Sequence, residues 1–221
     1  IGIVAATTPA QESDRLALIR KNYGPDARLW PASSRKLTYP ITFIEPYDTL
    51  NSGALGFDMY SETIRRRAIQ RAWTTGQASA SNIVQLIQNG VADDPQPAFL
   101  LFLPITDPQN PQPLGQLASP QNSPQDQPLE ALAYAPIRIR DLMNALIAPS
   151  LSGLSGVQVY AGTDSAAPLV YSHGKIQFGA HETSIRIADK NWRMIVSYQP
   201  DFNQYGRPLL VLLFGIVTAG L

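Results

Sequence analysis

Residues 98–105 read AFLLFLPI, an uninterrupted apolar run with prolines close to both ends. A run of this length and composition predicts a β-strand that is buried on both faces. A helix is predicted ahead of it, because Ser61 supplies a cap, Gly76 stands just after the end, and apolar side chains recur at four-residue spacing between them. The chain therefore passes from an amphipathic helix into a sheet.

Similar patterns continue on both sides of this segment. Thr8-Pro9 begins a helix that ends near Tyr23, and residues 107–130, with six prolines and six glutamines, predict a long loop. Strands mixed with short helices predict an α+β fold of two packed units, residues 1–150 and 151–206. The other predicted strands are residues 28–30, 37–45, 129–139, 157–161, 169–172, 176–178, 183–187 and 192–198, and a short helix is predicted over 141–147.

The composition of the 221 residues excludes several classes of protein. The chain has no cysteine, which rules out a disulfide scaffold, thiolate metal sites and thiol nucleophiles. Its 17 basic side chains balance 17 acidic ones, and its two histidines are His173 and His181. We therefore expect no nucleic-acid partner, no metal site and no cofactor.

The ends of the sequence lead us to expect a piece of a longer membrane protein. The chain begins at Ile1 without methionine, and residues 208–221 read PLLVLLFGIVTAGL. This run is shorter than the roughly 20 apolar residues of a membrane span. It is either a buried final element of the domain or the start of a transmembrane helix over residues 207–221 that is cut short. We prefer the second interpretation because the run shows no polar alternation.

Candidates for chemistry are few. Ser172-His173 and His181-Glu182 fall in predicted turns, and no third partner at a suitable spacing completes a triad, so an enzyme is the least favoured interpretation. Asp58 flanks a turn and is expected to bond backbone amides. The helix after Ser61 carries four arginines, which either form a solvated face or include one that meets an anionic ligand. Arg65 is the candidate for that inward position.

Several short motifs follow one another in a fixed order along the chain. They are Phe43-Ile44-Glu45-Pro46, Ala54-Leu55-Gly56-Phe57-Asp58, Arg65-Arg66-Arg67-Ala68 with Ala72 and Thr75-Gly76, Phe99 to Pro104, Ile137 to Met143, and Phe178-Gly179 with Trp192. In this order and spacing they resemble the CHASE domain over residues 3–199. The resemblance implies an extracytoplasmic sensor module of the kind found in plant cytokinin receptors and in bacterial histidine kinases and diguanylate cyclases. It also implies a long amino-terminal helix, of which only the end is expected here, two PAS-like units and a following transmembrane helix.

The resemblance further implies a ligand site in the first, membrane-distal unit. The residues carried over by motif position are Met59, Arg65, Leu86, Phe102, Ala133 and Ala135. The plant receptors have an acidic residue in place of Arg65 and a threonine in place of Phe102, and a guanidinium donates hydrogen bonds without accepting any. This difference argues against adenine-type cytokinins and favours a carboxylate or another anionic metabolite as the ligand.

Two functions from different classes remain. The first is a non-catalytic periplasmic or extracellular sensor that forms a homodimer, is attached to the membrane through residues 207–221 and passes ligand binding to a cytoplasmic output domain. The second is a dimerisation or protein-docking module whose pocket is filled by its own side chains, among them Met59 and Phe102. A cavity of about 300 Å³ or more, lined by the carried-over residues, would favour the sensor.

Overall fold

The computed structural model describes residues 1–86, 96–105, 131–147 and 153–198, and their α+β arrangement confirms the predicted fold class. The described part contains two antiparallel sheets and three α-helices. The helices are α1 (Glu12–Tyr23), α2 (Thr63–Thr75) and α3 (Ile139–Ile147). The strands are β1 (Gly2–Ala5), β2 (Ile41–Ile44), β3 (Ser79–Ala80), β4 (Ala98–Ile105), β5 (Ala131–Arg138), β6 (Leu154–Tyr160), β7 (Leu169–Gly174), β8 (His181–Ile187) and β9 (Lys190–Tyr198).

The first sheet has the strand order β2-β1-β5-β4-β3. Its centre is the pairing of β4 with β5, which is unbroken from Ala98 opposite Arg138 to Ile105 opposite Ala131. The predicted bounds of β4 are therefore confirmed. β1 runs between β2 and β5 and was not predicted, because its four residues are too few to establish an alternating pattern.

The predicted starts and ends of the first two helices are close to those observed. Thr8 precedes the first turn, and its backbone N–H donates to Gln11 Oε1 at 3.0 Å. α2 begins at Thr63, two residues after the predicted cap Ser61, and ends where Gly76 adopts a φ of 64°. Glycine suits this left-handed conformation because it has no Cβ to clash with the backbone.

α2 covers one face of the first sheet and helps to form the first hydrophobic core. Its Ala68, Ile69 and Ala72 are fully buried, because a spacing of three and four residues puts them on one side of the helix. Leu100 and Phe102 of β4 lie in the same core. The helix predicted from its apolar spacing thus packs on the strand predicted from its apolar run.

The second sheet has the order β7-β6-β9-β8, and its core also takes residues from the first sheet. Phe99 of β4 lies against Trp192 of β9, with ring centroids 5.3 Å apart. Ile139 and Met143 of α3 belong to this second core. α3 therefore packs with the second sheet although it precedes the boundary expected near Ser150, and that boundary stays a prediction.

The Asp189 carboxylate ties the two sheets together. Asp189, in the turn between β8 and β9, accepts hydrogen bonds from the backbone N–H of Ala80 at 2.6 Å and from Arg71 Nε at 2.7 Å. Ser79 Oγ donates to the same carboxylate at 3.2 Å. Arg71 belongs to α2, and the other two donors belong to β3. The Asp189 carboxylate therefore joins the second sheet to α2 and to β3.

The predicted burial of β4 and the strand predicted at 176–178 need correction. The outer half of β4 is buried on one face only, with Leu103 54% and Ile105 43% exposed. The reason is that, among the described residues, the second core ends at Leu101 on that face. Residues 176–178 form no strand, because β7 ends at Gly174, whose φ of 65° interrupts the extended conformation.

Two further predictions, the loop at 107–130 and the membrane segment at 207–221, lie outside the described residues. Within the part that the structure describes, no helix combines the length and the hydropathy that a membrane crossing requires. The longest of these helices, α2, has 13 residues.

Candidate ligand-binding site

Arg65 faces inward from α2, as the sequence predicts for one arginine of the run. It is 5% exposed, whereas Arg66 is half-buried and Arg67 is exposed. Successive residues of a helix point about 100° apart, so neighbouring arginines face different surroundings. Arg65 lies one turn before the buried Ala68 and Ile69 and therefore shares their face.

Two acceptors hold the Arg65 guanidinium. Nη1 donates to the Glu62 carboxylate, and Nη2 donates to the backbone carbonyl of Gln85 at 2.7 Å. The guanidinium carbon is 5.4 Å from the centre of the Phe57 ring, within the range of a cation–π contact. Nε is buried and has no hydrogen-bond acceptor among the described residues. Burial lowers the pKa of Arg65 and Glu62 opposes that change, while the side chain stays a cation whose Nε–H has no acceptor among the described residues.

A small cavity lies between α2 and the first sheet. Its volume is about 30 Å³, which is room for about one or two water molecules. Met59, Arg65 and Leu86 all line it, so the structure brings together these three of the predicted site residues. The other lining residues are Ile41, Ile44, Asn51, Ala54, Phe57, Leu100, Tyr134 and Pro136.

The protein's own side chains fill most of the space beneath α2. Met59 is 4% exposed, and Phe102 is fully buried in the same core. The cavity of about 30 Å³ is therefore well below the roughly 300 Å³ expected for an open ligand pocket. A metabolite enters this cavity only if its walls move apart.

Ala133 and Ala135 lie on the opposite face of the sheet from Arg65. Phe102 pairs with Tyr134, so these two side chains share the face beneath α2. Adjacent strand residues point to opposite faces. Ala133 and Ala135 accordingly line an apolar depression of about 430 Å³ on the outer face of the sheet. A shift of one residue moves every side chain of a strand to the other face.

Tyr134 and Pro136 occupy the cavity wall that was assigned to the two alanines. Phe102 lies on the correct face but packs beside the cavity, with its ring centroid 6.5 Å from that of Tyr134. The alternating set Leu132, Tyr134 and Pro136 contains the larger side chains of this part of β5. That difference in size was the signal by which the inward face could have been identified.

Gly56 shapes the loop that leads into the cavity. It has a φ of 74°, and a Cβ at this position would lie 2.0 Å from the backbone oxygen of Arg28. Glycine is therefore required both by the backbone conformation and by the close approach of a second segment. The Gly56 carbonyl accepts a hydrogen bond from Trp30 N–H at 3.0 Å. Residues 28–30 contribute only the isolated bridge of Trp30 with Phe57, in place of the predicted strand.

Asp58 holds the backbone next to Met59. Its Oδ1 accepts hydrogen bonds from the backbone N–H groups of Tyr39 at 2.8 Å and Tyr60 at 2.9 Å. This confirms the expected bonding to backbone amides. Burial raises the pKa of Asp58, and the two amide hydrogen bonds oppose the rise. Asp58 thus serves to position Met59, whose side chain lines the cavity.

An open groove of about 490 Å³ lies on the other side of Arg65. Arg65 lines both the groove and the cavity and therefore stands between them. The Glu62 side chain is 39% exposed and borders the groove. The remaining lining residues of the groove are Ile64, Ile83, Val84, Gln85, Gln96 and Pro97.

Ser172 and His173 do not form a catalytic pair. They lie within strand β7, not in the predicted turn. Consecutive residues of a strand point to opposite faces of the sheet, so their side chains diverge. His181 is exposed and is the first residue of strand β8, so it does not lie in the predicted turn either.

A comparison with protein families identifies the chain. The family model described as the CHASE domain matches residues 1–171, which contain the whole first sheet, the three described α-helices and β6. The chain belongs to the CHASE domain family. CHASE domains are non-catalytic extracytoplasmic sensors of signalling receptors, and they bind small-molecule ligands. No curated protein matches the chain. The predicted motif residues Phe178, Gly179 and Trp192 lie beyond the matched range.

Proposed function

We propose that this CHASE domain is the periplasmic sensor of a bacterial receptor, of the histidine kinase or diguanylate cyclase type, and that it binds an anionic small molecule at Arg65. The observation that carries the proposal is the buried guanidinium, which is 5% exposed and whose Nε has no acceptor among the described residues. Burying a charge with an unused donor costs free energy. A ligand carboxylate supplies an acceptor of the right charge, and arginine binds carboxylates through parallel hydrogen bonds.

Ligand binding in this proposal is coupled to a change of shape. The cavity of about 30 Å³ admits a metabolite only when α2, Met59 or Leu86 moves outward. A ligand that binds the opened conformation better shifts the equilibrium towards it. α2 also carries Arg71, which bonds Asp189 of the second sheet. A displacement of α2 therefore reaches the second unit through a direct contact.

The two sheets correspond in this proposal to two PAS-like units, a membrane-distal unit over residues 1–150 and a membrane-proximal unit over 151–206. The two separate sheets support this division, since every described strand of the first precedes residue 150 and every described strand of the second follows it. Residues 207–221 begin the transmembrane helix, two copies form a homodimer, and the output domain lies on the cytoplasmic side.

A thermal-shift screen of the chain against small carboxylates, each beside its neutral amide, tests the proposal. A ligand at 100 times its dissociation constant is expected to stabilise the domain by about 2.7 kcal/mol. Arg65→Gln is expected to abolish this stabilisation, because glutamine offers neither the charge nor the paired donors. The amides are expected to have no effect.

Arg67→Gln provides the matched control, since Arg67 is exposed on the same helix. This variant is expected to respond to carboxylates like the wild type. If both variants respond equally, the ligand binds elsewhere. If no compound stabilises the wild type, the sensor proposal fails.

The filled cavity also favours a second candidate, a dimerisation or protein-docking module. The outer face of the first sheet exposes the apolar side chains of Ile1, Phe43, Leu103 and Ile105. A ligand screen without hits, together with a change of oligomeric state in Leu103→Asp measured by sedimentation velocity, would favour this function.

A further inference from the structure

We infer that Glu62 is an internal occupant of the anion site: its carboxylate lies where the ligand's carboxylate binds, and ligand binding displaces it. The inference rests on the proposed function and concerns the same guanidinium. It adds a residue that neither the motif comparison nor the cavity lining identified. Glu62 then sets both the affinity for an anion and the selection of anions over neutral compounds.

The contacts of Glu62 and Arg65 are unequal. The Arg65 side chain is 6% exposed and is anchored by the Gln85 carbonyl, whereas the Glu62 side chain is 39% exposed. Glu62 has the extended backbone of a helix cap, with φ −101° and ψ 135°, but its side chain makes no capping hydrogen bond to α2. Its carboxylate is therefore committed to Arg65 and is the partner that can rotate into solvent.

The open groove makes the Glu62 position accessible from outside. Glu62 and Arg65 line its wall together, while Arg65 alone of the two also lines the inner cavity. An anion that approaches through the groove meets the Glu62 carboxylate before it can use Nη1 of Arg65.

Two carboxylates beside one guanidinium repel each other, so the incoming anion and Glu62 compete. A ligand carboxylate that takes the Glu62 position can reproduce the lost charge-assisted hydrogen bond at Nη1. A neutral amide presents one acceptor without charge and does not displace Glu62. The competition thus lowers affinity for every ligand but rejects neutral ones more strongly.

Isothermal titration calorimetry of the full chain with acetate, butyrate and benzoate, each beside its amide, tests the inference. Glu62→Gln removes the competing charge while keeping the shape of the side chain. We expect it to bind the carboxylates about tenfold more tightly than the wild type, the size of one hydrogen bond to a charged group. Glu12→Gln, an acid in the first turn of α1, is the matched control and is expected to leave the affinity unchanged.

The outcomes separate this inference from the proposed function. Carboxylate binding by the wild type that Glu62→Gln leaves unchanged or weakens overturns the inference alone. Absence of carboxylate binding in both the wild type and Glu62→Gln overturns both. A second measurement uses only the wild type: on addition of benzoate, the NMR signals of the Arg65 Nε–H and of the Glu62 side-chain carboxyl carbon are expected to shift together. A shift at Arg65 with a constant Glu62 signal overturns displacement.

Discussion

Phe102→Ala is expected to lower the free energy of unfolding by about 3–5 kcal/mol. Phe102 is fully buried beneath α2, in the middle of the β4–β5 pairing and beside Tyr134. Removing the ring loses its burial and leaves a void that the paired strands cannot close by collapsing. Urea unfolding followed by tryptophan fluorescence measures the loss.

Leu103→Ala is the matched control for this prediction. Leu103 is the next residue of β4, points to the outer face and is 54% exposed, so its truncation is expected to cost less than about 1 kcal/mol. Equal losses in the two variants would contradict the assignment of Phe102 to the covered face. The pair therefore tests the register on which the cavity wall depends.

The features that sequence reasoning predicted well are those with a strong local signal. Thr8-Pro9 marks the start of the first helical segment, and Gly76 ends α2 because few other residues adopt its left-handed conformation at low cost. The apolar run at 98–105 is β4 to the residue. The inward orientation of Arg65 follows from helix geometry once the buried side of α2 is known from its apolar spacing.

Register was harder to predict than element type. The resemblance to the family placed Ala133 and Ala135 in the ligand site from their positions in the sequence alone. Sequence position does not show how β5 pairs with β4, and this pairing decides which residues face the cavity. In the structure Tyr134 and Pro136 face the cavity instead. A strand with apolar side chains on both faces has no alternation of polarity to fix its inward side, so only the alternation of side-chain size marks that side here.

Contacts between distant segments gave no local signal either. Asp189 bonds the N–H of Ala80 across 109 residues, and its sequence context is an ordinary turn between two strands. Glu62 stands at the start of α2, where acids are common, and nothing in its sequence context shows that its side chain pairs with Arg65. Such roles depend on which segments the fold brings together, and they become visible only in three dimensions.

Asp189→Ala is expected to lower the free energy of unfolding by about 2–4 kcal/mol. The substitution removes the acceptor of Arg71, Ser79 and Ala80 at once and leaves the Ala80 N–H without its bond. The side chains of Asp189 and Arg71 are 30% and 38% exposed, so solvent screening keeps the loss below the sum of three charge-assisted hydrogen bonds.

Asp164→Ala is the control for Asp189, because Asp164 lies in another turn of the second unit and bonds only locally, to Ala166 N–H at 2.9 Å. Its loss is expected to stay below about 1 kcal/mol. A double-mutant cycle with Arg71→Ala isolates the contact between the units. A coupling energy near zero would show that Asp189 does not link α2 to the second sheet.

The pH dependence of stability provides an independent test of the same contact. Burial raises the pKa of Asp189, but the Ala80 hydrogen bond and the hydrogen bond and charge of Arg71 together outweigh it, so the pKa lies below its ordinary value. A carboxyl whose pKa is lower in the folded than in the unfolded protein contributes stability above the unfolded pKa of about 3.9. That contribution is lost as the pH falls from about 4 through the folded pKa. Asp189→Asn is therefore expected to reduce the fall in the free energy of unfolding below about pH 4. Between pH 5 and 7 the dependence of this free energy on pH is expected to stay unchanged. The free energy of unfolding of the variant could instead fall as steeply below about pH 4 as that of the wild type. Asp189 would then titrate alike in the folded and unfolded chain, and its carboxylate would not stabilise the contact between the two sheets.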